Sequence, residues 1–122
     1  MDIEKLIKKA IQVPDPPKST SSRKRHKLLA CALDKKGRVL AIRSNDYECS
    51  HPVQKYFAEK VGRPNAIYLH AEISCLVASK KDVYKMIVVR VDSDGNPVLA
   101  KPCSICQAAM KEYGVKVIEY TI

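Results

Sequence analysis

Two polar motifs, HAE at 70–72 and PCSIC at 102–106, are separated by 29 residues, and a fold that uses both must bring the starts of two helices together. Ile73, Leu76 and Val77 follow the first motif at helical spacing, which predicts a helix from about His70 to Ser79 with these three side chains inward. The second motif opens a pattern that runs from about Cys103 to Tyr113, with Gly114 placed to end it as a left-handed C-terminal cap. Cys103 and Cys106 are three apart and so share one helical face, where the positive end of the helix dipole favours thiolates. His70 supplies an imidazole, and the three side chains together make a candidate zinc site. Three protein ligands are the set expected of a catalytic zinc, which leaves a position for water, whereas structural sites are usually closed by a fourth. Zinc lowers the pKa of water from about 15.7 to about 7. Glu72, two residues from His70 and not needed as a ligand, is the candidate catalytic residue for moving protons.

The rest of the chain has to supply a core that holds those two helices. At 122 residues, 46% hydrophobic and 29% charged, the composition suits one ordered globular domain and not a disordered chain. Ile3, Leu6, Ile7, Ala10 and Ile11 lie on one helical face with Asp2 as N-cap, predicting a first helix from Ile3 to Gln12. Pro14, Pro16 and Pro17 forbid its continuation, so residues 13–26 read as a linker within the domain. Residues 27–33 and 39–42 read as a hairpin around the turn from Asp34 to Gly37. A short helix is expected at 54–61, ended by Gly62, Arg63 and Pro64. Strands are expected at 83–91 and 115–120, with a turn at Asp94 and Gly95. Helices alternating with strands in the second half predict an α/β fold with a partly parallel sheet covered by helices.

No apolar run approaches the ~20 residues needed to cross a bilayer, and the first ten residues lack the apolar stretch of a signal peptide. A soluble, cytoplasmic protein without a membrane partner is expected. Five cysteines in a reducing compartment read as free, core or metal-bound thiols rather than as bridges. The formal charge of +9 favours anionic partners such as nucleotides or nucleic acid. Part of it lies in the run of Arg23, Lys24, Arg25 and Lys27 around His26, read either as a solvated segment or as a phosphate contact.

HxE followed about thirty residues later by PCxxC is the signature of zinc nucleobase deaminases. The segments HAEI and PCSICQAAMKEYGVKVIEYT resemble the cytidine and deoxycytidylate deaminase superfamily, over roughly residues 27–120. The resemblance implies a three-layer fold with a mixed sheet of about five strands and the two motif helices side by side on one face. It implies hydrolytic deamination of a cytosine nucleotide or nucleoside to the uracil form, with release of ammonia. Glu72 would pass a proton from water to the ring nitrogen and then assist the leaving amine. The Ala71 N–H, at a helix start, is expected to hold the base carbonyl. Asn45 falls where many relatives contact the sugar, although this chain reads RSNDYECS where many deoxycytidylate deaminases have glycines. Tyr120 is a candidate for stacking near the base. Self-association into a homo-oligomer is also implied.

Other readings of the same residues stay open. A redox CxxC would leave HAE unexplained. A structural zinc needs a fourth ligand from Cys31, Cys49, Cys75, His26 or His51, and Cys49 with His51 could hold a second zinc, as in some relatives. Phe57, Tyr84 and Tyr113 read as packing groups. The alternative substrate is cytosine or adenine in single-stranded DNA or tRNA, favoured by the charge. For a free nucleotide, Arg43, Lys55 and Arg63 are candidate phosphate contacts.

Overall fold

The computed structural model of the protein describes residues 1–12, 27–45, 50–66, 69–79 and 83–122. Among these, helix α1 (Ile3–Gln12) is followed by the strands β1 (Lys27–Leu33) and β2 (Val39–Ser44), then by the helices α2 (Pro52–Lys60) and α3 (Ala71–Ser79). Strands β3 (Lys85–Val91) and β4 (Pro97–Val98), helix α4 (Ser104–Glu112) and strand β5 (Val117–Tyr120) complete the order. The protein is therefore α/β, with a mixed five-stranded sheet. The linker proposed for 13–26, with Arg23, Lys24, Arg25 and His26, lies outside the described residues, as does Cys49. Lys27 opens β1, and its Nζ donates to the Ile11 carbonyl at 3.2 Å.

The local signals act as elementary chemistry requires. Asp2 caps α1 by accepting from the Lys5 N–H at 2.9 Å. In the β1–β2 hairpin Asp34 Oδ1 accepts from the N–H groups of Lys36 and Arg38 at 3.0 and 2.9 Å. Gly37 then takes a φ of 82°, which a side chain would disfavour. α2 begins two residues before the expected Gln54. The reason is that Pro52 sits in the first turn, where its missing N–H costs nothing, and His51 Nδ1 accepts from the Val53 N–H at 3.1 Å. The last strand likewise starts at Val117 rather than Val115, since the Val115 N–H still bonds back to Met110 O at the end of α4.

β3 lies at the centre. β1 pairs with it antiparallel on one side, in a register that sets Cys31 opposite Ile87. On its other side β5 pairs in parallel along Lys85–Val88 and β4 antiparallel at Arg90 and Val91. Since β1 is antiparallel to both β2 and β3, the strands β2, β3 and β5 run the same way. The helices α3 and α4 return between them, so both N-termini emerge at the carboxyl ends of these parallel strands. Ligands bind at that end of open α/β sheets.

Two cores sandwich the sheet. One face packs Ala30, Ala32, Met86 and Val88 against Phe57 of α2, Ile73 and Leu76 of α3, and Ile105, Ala109 and Met110 of α4. The opposite face packs Leu29, Cys31, Ile87 and Val89 against Leu6 and Ala10 of α1. Both motif helices thus share one face, as expected. Val77, expected inward, is only half-buried, while Ala71, Glu72 and Cys75 are fully inside. Phe57 is buried with its ring centroid 6.3 Å from that of Tyr113. Tyr84 and Tyr113 are instead part-exposed. Among the described residues no helix is long and apolar enough to cross a membrane.

Candidate metal centre

His70 is the last residue before α3, and its carbonyl accepts the Ser74 N–H at 2.9 Å, the first intrahelical bond. Cys103 is the N-cap of α4 in extended conformation, with Cys106 in the first turn. The helix starts meet because α3 and α4 pack against each other. His70 Nδ1 lies 3.3 Å from Cys106 Sγ and 3.5 Å from Cys103 Sγ. All three ligand atoms fall within 4.8 Å of one another. Tetrahedral bonds of about 2.3 Å to sulfur and about 2.0–2.1 Å to nitrogen would set a nitrogen and a sulfur about 3.6 Å apart. The observed edges are within a few tenths of that value, so the three side chains can hold a metal ion and are compatible with zinc. Nδ1, not Nε2, is the nitrogen turned toward the sulfurs.

The electrostatics suit a cation. A hydrogen bond from the Cys106 thiol, opposed by burial and helped by His70, pulls the Cys103 thiol down to a pKa of about 3. The same bond, together with burial, holds the Cys106 thiol well above its ordinary value. The Cys103 thiolate beside the ring raises the pKa of His70, against the effect of burial. Glu72 is 4% exposed, and removal from water raises its carboxyl pKa above the ordinary range. The nearby Glu72 carboxyl adds to the rise of the Cys106 thiol.

The other candidate ligands go elsewhere. Cys31 faces α1 across the sheet. Cys75 Sγ donates to the Ala30 carbonyl at 3.2 Å, and burial pushes this thiol up to about 12. The His51 ring caps α2. Among the described residues the cluster is therefore His70, Cys103 and Cys106, and the four described cysteines are unbridged.

Asn45, just past the carboxyl end of β2, reaches the start of α3, where its Oδ1 accepts the Ala71 N–H at 2.8 Å. The backbone donor expected to hold a base carbonyl is thus engaged within the protein, and the Asn45 amide nitrogen is the donor this pair presents. Tyr120 is half-buried on β5 opposite Val88 and lines a groove beside α4 together with Pro102. Of the three candidate phosphate contacts, Arg63 is the one whose charge is felt at His70. Arg43 donates instead to the carbonyl of Ile42.

Gln54 was not among the residues singled out from sequence. Its side chain is 0% exposed in α2, donating from Nε2 to the Ala66 carbonyl at 3.1 Å and accepting the His70 N–H on Oε1 at 3.2 Å. It pins both ends of the segment that delivers the histidine. The sequence signal was slight, a glutamine on the inward side of a predicted helix. Comparison of the sequence with protein-family models and with curated proteins gives no match.

Proposed function

We propose that this chain is a zinc-dependent hydrolase that deaminates the cytosine ring of a nucleotide or nucleoside, with the fold of the cytidine deaminase superfamily. One observation carries the reading: a His–Cys–Cys cluster with all ligand atoms within 4.8 Å and, two residues from its histidine, a buried carboxyl, Glu72, that feels the charges of His70 and Cys103. Zinc held there supplies a Lewis acid that makes water nucleophilic at neutral pH. Glu72 takes a proton from the water that adds to the ring carbon bearing the amine and hands it to the adjacent ring nitrogen. It then passes the second proton to the departing nitrogen. Water is consumed, and ammonia and the uracil form are released. A carboxyl whose proton affinity is raised by burial suits both halves of this task, because it has to accept and return a proton near neutral pH.

The Asn45 amide, anchored through its oxygen on α3, donates to the sugar or base. Arg63 meets the phosphate of a cytidine or deoxycytidine monophosphate. A polynucleotide carrying the same base is the second reading, favoured by a lysine-lined groove that starts beside Cys103.

The test is ammonia release by the zinc-loaded protein from cytidine, deoxycytidine, their monophosphates, single-stranded DNA and tRNA. Glu72→Ala is expected to lower turnover by about 10²–10⁴-fold with the metal retained. A non-catalytic zinc-binding module would instead be indifferent to this change. Absence of turnover on every cytosine and adenine substrate refutes the proposal.

A further inference from the structure

Along the flank of α4 that faces β5 runs an open groove of about 470 Å³, lined by Lys101, Pro102, Gln107, Lys111, Lys116 and Tyr120 among others. Its three lysines are exposed. The acids nearest in sequence are committed elsewhere, Glu112 to Lys60 and Glu119 to Lys85, each at 3.1 Å. The groove is therefore cationic along its length. Pro102 closes one end next to Cys103, with its carbonyl held by Gln107 Nε2 at 2.7 Å. Lys111 is seven residues beyond Ser104, roughly 10 Å along the helix at 1.5 Å per residue, and Lys116 lies beyond the Gly114 turn.

We propose that this groove binds the phosphate backbone of a single-stranded polynucleotide, leading the strand away from the metal centre. A mononucleotide offers phosphate at one position only, whereas cations spread along a helix flank match a chain of phosphates. The half-buried ring of Tyr120 adds a face on which a base can stack. A second copy of this chain carries the same positive excess and offers the groove no charge complement. An acidic peptide matches the charge but gives no reason for the groove to end beside a metal centre. The delivery of a base to that centre rests on the deaminase reading; the binding of the strand does not.

Oligothymidylate lacks an exocyclic amine, so its binding is measured without turnover, and loss of deaminase activity leaves the result standing. Fluorescence anisotropy of a labelled oligothymidylate with the full chain is expected to show affinity falling about twentyfold between about 50 and 200 mM salt, as three phosphate contacts require. Lys101→Glu with Lys111→Glu and Lys116→Glu is expected to lose at least about tenfold in affinity at low salt. The matching glutamine variant is expected to fall between it and the parent. Reversing Lys5, Lys8 and Lys9 on α1 makes the same charge change on the opposite face and is expected to cost much less. Equal losses from the two reversals, or no binding by the parent protein, overturn the proposal. Competition by polyglutamate as strong as by unlabelled oligothymidylate also overturns it and assigns the groove to an acidic protein segment.

Discussion

A fully buried amide is costly unless both of its ends are bonded, and both ends of Gln54 are bonded to the segment that delivers His70. Residues that orient a metal ligand commonly change metal affinity by about 10–100-fold when removed. Gln54→Ala is therefore expected to weaken metal binding within that range in chelator competition, while Cys103 and Cys106 remain in place. A loss of global stability with unchanged metal affinity would show that Gln54 serves packing alone. The cluster also fixes a pH dependence. Without metal, Cys103 is already a thiolate at neutral pH, but Cys106 retains its proton, and His70 holds its own above the ordinary imidazole value. Metal binding must displace the Cys106 proton, so affinity is expected to rise about tenfold per pH unit from neutral pH toward the raised Cys106 value. The slope should steepen toward acid pH, where His70, raised above the ordinary imidazole value, must lose its proton as well. A flat profile from direct titration would contradict the assigned protonation. Of these residues, the sequence marked His70, Glu72, Cys103 and Cys106 through their types and spacing. Gln54 had no such marker, because its partners are set by where α2 packs.

At the scale of elements, the two motif helices differ in how they begin. α4 starts at a cysteine that makes no side-chain cap bond, leaving its sulfur for a metal. α3 starts with its Ala71 N–H taken by Asn45 from another element. α2 uses the Nδ1 of the His51 ring as its cap. The sheet has a comparable junction at Thr121, which is 5% exposed just past β5. Its Oγ1 accepts the Arg90 N–H at 3.2 Å and donates to the Val98 carbonyl at 2.5 Å, stitching β4 to β3 where β5 ends. Thr121→Val would remove the side-chain bonds to both backbone groups and leave only the β3–β4 pairing between Arg90 and Val98. It is expected to cost about 2 kcal/mol in denaturant unfolding and to speed hydrogen exchange at the Arg90 amide. Thr121→Ser should recover most of the loss, and a neutral Thr121→Val would show that the junction is dispensable. Periodicity exposed α1, α3, α4, the β1–β2 hairpin and β3. It missed β4, since two residues show no period.

For the molecule as a whole, the sequence by itself determined the chemistry available and much of the order of elements. The i, i+3 spacing of Cys103 and Cys106 is fixed by helical geometry, as are the inward positions of Ile73 and Leu76. Hydrophobic periodicity separated helix from strand for the same local reason. Only the tertiary structure decided which donors and acceptors meet across the fold. Gln54 and His70 are 16 residues apart, Asn45 and Ala71 are 26 apart, and Arg90 and Thr121 are 31 apart. Such bonds follow from the crossing of packed layers and leave no repeating pattern along the chain. The lysine groove has the same origin. Lys101 and Lys116 belong to loops and Lys111 to a helix, and they line one surface only because α4 crosses back to set β5 parallel to β3.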